Sequence, residues 1–97
     1  MTAIFIRARV EPEQRRELMQ MCKTWISRPL PAECLDRRIY EDAISPTDLL
    51  LVEDWSNREG LRLCLVSEQF RALIGAVKVL GTLVDVCIAE TTVVEAG

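Results

Sequence analysis

The 97-residue sequence contains no histidine. That absence excludes Ser-His-Asp and Cys-His catalysis, histidine-ligated haem and nearly all common zinc sites. Basic runs are missing as well. Arg15-Arg16 and Arg37-Arg38 are isolated doublets in a chain of net charge −3, which leaves no electrostatic footprint for a phosphate backbone or an anionic membrane surface. No apolar run reaches the roughly 18 residues that a membrane span needs. Met1-Thr2 leads straight into Ala3-Ile4-Phe5-Ile6, with neither a basic stretch nor a small-residue cleavage site. These absences predict a cytoplasmic location, with no nucleic acid and no membrane as partner. The four cysteines, Cys22, Cys34, Cys64 and Cys87, form no CxxC pair, so free thiols buried as small hydrophobes are expected. No motif for a metal or an organic cofactor is present, and none is expected.

Apolar residues, by contrast, make up 49% of the chain. The length suits a single domain over 1–97. A domain this small buries only about two-thirds of the surface that its unfolded chain exposes, so the surplus predicts self-association.

Thr2 to Val10, rich in β-branched and aromatic residues, reads as a first strand. Glu11-Pro12-Glu13 opens a helix, with proline and acids both suited to a first turn. Leu18, Met21, Cys22, Trp25 and Ile26 share one face of it, with Arg16, Glu17, Gln20, Lys23 and Thr24 on or near the other. The prolines of Ser27-Arg28-Pro29-Leu30-Pro31 end it. Cys34 to Ala43 reads as a second strand, with Leu35 and Ile39 on one side and Cys34 and Tyr40 on the other. After a turn at Ser45-Pro46-Thr47-Asp48 comes a third strand, Leu49 to Trp55. Its Leu-Leu-Leu-Val run is apolar on both sides, which predicts burial of both faces of the sheet and hence a homodimer.

Ser56-Asn57-Arg58-Glu59 has the form of a capping box. Leu61, Cys64 and Leu65 align on the short helix that follows. Ser67 caps a second segment, whose inner stripe is Phe70, Leu73, Ile74 and Val77 and whose end is Gly81. Leu83 to Val94 is the final strand. The order β-α-β-β-α-α-β is a ferredoxin-like α+β fold, a β-α-β-β-α-β pattern with a divided second helix. Its two right-handed crossovers place the first and third strands side by side in the middle of a four-stranded antiparallel sheet.

The stretch Leu50-Leu51-Val52-Glu53-Asp54-Trp55-Ser56-Asn57-Arg58-Glu59-Gly60-Leu61, followed by Cys64-Leu65-Val66-Ser67-Glu68-Gln69-Phe70, resembles the antibiotic biosynthesis monooxygenase family. That family's pattern is an apolar strand ending in Glu-x-Trp, a short acidic turn, then His-x-x-Ser-x-x-Phe. The first strand, the first helix and Tyr40-Glu41-Asp42 fit it too. The resemblance implies a dimeric α+β barrel, a cavity between helices and sheet in each subunit, and oxidation of a small aromatic or quinol with molecular oxygen and without metal or flavin. Cys64 stands at the position that the family usually gives to His. The positions that haem-degrading relatives use fall on Cys64, Ile74 and Ile6, so haem degradation is not expected.

The candidate cavity wall comprises Phe5, Trp25, Trp55, Cys64, Phe70 and Ile74, with Tyr40 and Arg38 as polar contacts. Each has a plainer reading. Trp55 and Trp25 also read as core aromatics, with the Trp55 N–H meeting a carbonyl, and Cys64 on an apolar stripe is an inert thiol. Tyr40 is amphipathic packing, and Arg38 and Arg7 pair with acids across the sheet, with Asp36, Glu53 and Asp85 available. Two functions follow: a cofactor-independent monooxygenase acting on a small aromatic or quinol, or a non-catalytic domain of the same fold that binds a small ligand or another protein. No general base is assigned, since without His only a carboxylate such as Glu53 could act.

Overall fold

In the computed structural model, which describes residues 1–92 and Val94, seven elements follow the predicted order. They are β1 (Thr2–Arg9), α1 (Pro12–Ser27), β2 (Cys34–Glu41), β3 (Asp48–Trp55), α2 (Arg58–Leu65), α3 (Glu68–Leu80) and β4 (Thr82–Glu90). The strands form one antiparallel sheet in the order β2-β3-β1-β4, with β1 and β3 in the centre as the two crossovers require. β4 stops at Glu90, short of the predicted Val94, and Val93 lies outside the described residues. No helix among the described residues is long and apolar enough to cross a membrane.

Side-chain alternation sorts the sheet into two faces. Ile4, Ile6 and Ala8 of β1 and Leu49, Leu51 and Trp55 of β3 point toward the helices, where Leu18, Cys22 and Trp25 of α1, Leu61 of α2, and Leu73 and Val77 of α3 meet them. Ile4, Ile6, Leu18, Leu51, Leu61 and Val77 are all essentially sealed from water. Each contributes about 1.5–3 kcal/mol of hydrophobic stabilisation by its burial. Ile26, expected on the inner face of α1, is 41% exposed, because it falls in the last turn, beyond the sheet's cover. Cys87, expected to be buried, is exposed on β4.

The opposite face carries Ala3 and Phe5 of β1, Leu50 and Val52 of β3, and Arg38 and Tyr40 of β2, placed there by the pairs Phe5–Val52, Arg38–Val52 and Tyr40–Leu50. Among the described residues no helix packs on this face. Its charges pair within the sheet as expected: Arg7 with Asp85 at 3.8 Å, and Arg38 with Asp54 at 2.5 Å and with Asp36 at 3.5 Å.

Local chemistry fixes the joints. The predicted capping box at Ser56 is not the cap. Asn57 accepts from the Gly60 amide at 2.8 Å and caps α2, while the Ser56 hydroxyl donates to Glu33. The amide side chain of Asn57 also reaches Glu33, at 2.9 Å, so this acid from the loop between α1 and β2 outcompetes Glu59 for the serine. Ser67 caps α3 through the Phe70 amide, and Gly81 ends it. A Cβ at Gly81 would sit 2.5 Å from the Arg9 carbonyl oxygen, so the chain passes β1 at a distance that only glycine permits. In β2 the pairing shifts between Cys34 and Asp36, leaving Leu35 as an extra, half-exposed residue. This bulge puts Cys34 on the helix side together with Arg37 and Ile39, which corrects the expected alternation.

Candidate functional site

A half-open cavity of about 640 Å³ lies between the sheet and the helices. Its floor is Ile4 and Ile6 of β1, with Glu53 and Trp55 of β3 beside them. Trp25 of α1 and Phe70 and Leu73 of α3 close one side, Cys64 and Leu63 of α2 another, and Arg28 to Glu33 of the loop after α1 form the rim. The volume lies in the range of small-molecule pockets, and the wall is mainly apolar and aromatic, as such pockets are.

The polar part is one connected group. Arg37 Nε donates to Glu53 Oε2 at 2.7 Å, with the two side chains only 9% and 5% exposed. Trp55 Nε1 donates to Glu53 Oε1 at 2.9 Å, and the Cys64 thiol lies 3.4 Å from the same oxygen. Arg37 Nη1 donates to the Trp25 carbonyl at 3.1 Å, and the guanidinium lies over the Trp25 ring, 5.3 Å from its centroid. A buried ion pair of this kind is tolerable because its hydrogen-bonding groups are satisfied on several sides. The period of two along β3 makes the group possible, since Glu53 and Trp55 share the face that looks into the cavity.

Burial, with the Glu53 carboxylate next to it, pushes the Cys64 thiol up to about 12. Burial likewise holds Cys22 and Cys34 up near 11. Cys64 is therefore a neutral thiol and a hydrogen-bond donor, not a thiolate nucleophile. Among the described residues no group of three or more Cys, Asp or Glu side chains is placed to hold a metal ion.

Of the residues singled out from the sequence, Trp25, Trp55, Cys64 and Phe70 line this cavity. Phe5, Arg38 and Tyr40 do not. They stand on the other face of the sheet, because strand parity puts Phe5 opposite Val52 while its neighbour Ile4 opposes Glu53. Ile74 packs at the edge of the core and does not line the cavity. Arg37 was missed. The bulge at Leu35 sets its parity, and nothing in the sequence of β2 announces that bulge. The expected carbonyl partner for the Trp55 indole is instead the Glu53 carboxylate, so that N–H is already engaged.

No family model and no curated protein sequence matches the chain. Solved structures do. Rv0793 of Mycobacterium tuberculosis is 25% identical over 99% of this chain and 98% of its own, with a TM-score of 0.75. A candidate antibiotic biosynthesis monooxygenase of Deinococcus radiodurans is 20% identical over 98% of this chain and 96% of its own, again at 0.75. SnoaB, a cofactor-independent oxygenase of Streptomyces nogalater, is 11% identical over 99% and 97%, also at 0.75. The fold is thus shared with structures named as antibiotic biosynthesis monooxygenases, in agreement with the resemblance carried by Leu50 to Phe70.

Proposed function

We propose that the chain is a cofactor-independent monooxygenase that takes a small aromatic or quinol into the cavity between helices and sheet. The observation that carries this reading is the cavity itself, a half-open space of about 640 Å³ walled by Trp25, Trp55 and Phe70. Flat apolar walls match a planar ring, and a ring seated between them displaces water, which strengthens any charge interaction made there. In this chemistry the electrons come from the substrate. A ring methylene and molecular oxygen give a ring carbonyl and water, and the protein's part is to hold the ionised substrate and exclude water. Sharing a fold with a structure named as a cofactor-independent oxygenase supports the assignment.

One observation favours the rival reading, a binder without chemistry. Glu53 already receives hydrogen bonds from Arg37, Trp55 and Cys64, so no free general base stands at the cavity floor.

The acting unit in this proposal is a homodimer in the cytoplasm. The helix-free face around Phe5 and Leu50, with exposed Val84 nearby on β4, gives a second copy an apolar surface to cover.

The test is oxygen uptake with anthrone, whose ring methylene is the carbon that becomes the carbonyl, in wild type and in Cys64→His. Saturable uptake by the wild type supports the enzyme. Tight binding without uptake in either protein establishes the rival. Uptake confined to the variant shows that the wild type lacks a base that the histidine supplies.

A further inference from the structure

We infer that the cavity selects an aromatic ligand bearing an ionised ring oxygen, a phenolate or enolate, and that Arg37 Nη2 is the donor that receives it. The inference rests on the reading above, in which the aromatic substrate is held ionised, and adds to it the residue that senses that charge. Three of the guanidinium's surroundings are fixed: Nε is taken by Glu53, Nη1 by the Trp25 carbonyl, and one flat side by the Trp25 ring. Nη2 donates to no protein group among the described residues, although the Arg37 side chain is only 9% exposed and lines the cavity. A planar donor clamped in this way loses little freedom when it binds an acceptor.

The rest of the wall points the same way. Its two acids are already supplied with donors, Glu53 as above and Glu33 by Ser56 and Asn57. Ser67 donates to the Cys64 carbonyl and accepts from the Phe70 amide. The cations are less engaged, since Arg28 at the rim forms no ion pair among the described residues and Arg37 keeps Nη2. Apart from the Gln69 amide, which offers a donor and an acceptor alike, the cavity therefore has spare cationic donors and no spare carboxylate. It suits a ligand that brings acceptors, and an ionised oxygen adds to the hydrogen bond a Coulombic attraction to the guanidinium that a neutral oxygen lacks.

The experiment uses two naphthoquinones of nearly equal shape. 2-Hydroxy-1,4-naphthoquinone is ionised at neutral pH and 2-methyl-1,4-naphthoquinone carries no charge. Binding is read by quenching of the chain's two tryptophans, both of which line the cavity. In wild type the hydroxy compound should bind about tenfold tighter or more. In the Arg37→Gln, Glu53→Gln double variant, which removes both charges and leaves Trp55 an amide acceptor, the ratio should fall to near one. A second readout on wild type needs no variant: acidification below the ionisation of the hydroxy compound should abolish its advantage. Equal affinities in wild type, or a ratio that survives the double substitution, overturn the charge inference and leave the aromatic cavity standing. Failure of both compounds to bind overturns the inference and the aromatic reading together.

Discussion

Removing the charge of Glu53 should be among the most damaging single changes available in this domain. The Arg37–Glu53 pair is 2.7 Å long, with side chains 9% and 5% exposed. Breaking a buried pair from one side typically costs about 3–5 kcal/mol, because the surviving charge stays in the interior uncompensated. Here the cavity lets water reach one side of the pair. The stranded guanidinium also keeps the Trp25 carbonyl and ring. Both push the cost of Glu53→Gln to the lower end, about 3 kcal/mol. Arg37→Met leaves a carboxylate that retains the Trp55 and Cys64 donors, and a similar cost is expected. The double variant, with no lone charge, should lose far less than the sum. A double-mutant cycle would then show a coupling of about 3 kcal/mol. The assay is urea unfolding followed by tryptophan fluorescence, at one fixed protein concentration so that any self-association is held constant. In a domain of this size each single variant should also melt about 12 °C or more below wild type. Costs that add to within about 0.5 kcal/mol would refute the argument, because the pair would then be behaving as a hydrated surface contact.

Three further outcomes follow from the packing. At pH 8 Cys22, Cys34 and Cys64 should resist a thiol reagent in the native protein, whereas denatured protein should show all four groups; fast labelling of Cys64 in the native state would contradict its raised ionisation. The same shifts set a pH dependence: a thiol that ionises near 9 when unfolded but near 11 or 12 when folded costs stability as pH rises, so unfolding free energy should hold up to about pH 8 and fall from 9 upward. Leu50→Asp, on the helix-free face, should convert the proposed dimer to monomer in sedimentation, since a lone carboxylate would otherwise be buried between copies; a wild type that is already monomeric at micromolar concentration would dispose of that part of the proposal.

The element order and the central position of β1 and β3 were legible in the sequence because strand composition, prolines and Gly81 punctuate it. The aromatic side of the site was legible for the same reason. Trp25 and Phe70 sit on helical stripes, and Glu-x-Trp has the period of a strand. The polar side was not. Whether Arg37 or Arg38 enters the cavity depends on which residues of β2 face β3, and an extra residue at Leu35 reverses the answer without leaving a compositional trace. The exchange of Ser56 for Asn57 as the cap had a similar cause. Glu33, distant in sequence, competes for the serine hydroxyl, and local spacing cannot reveal such a competitor. Phe5 failed as a cavity residue through parity alone: the strand was right and the face was not.

That extra residue in β2 also bears on how this scaffold changes its chemistry over time. Were β2 to run straight on from the Cys34–Trp55 pair, Asp36 rather than Arg37 would oppose Glu53, and Arg37 would turn to the face now held by Arg38. The cavity would then present two adjacent acids in place of an acid and a cation, a setting for a shared proton or a cationic guest. A lineage could therefore reverse the sign of ligand it favours by straightening one bulge in an edge strand, with every side chain of the helices and of β3 unchanged.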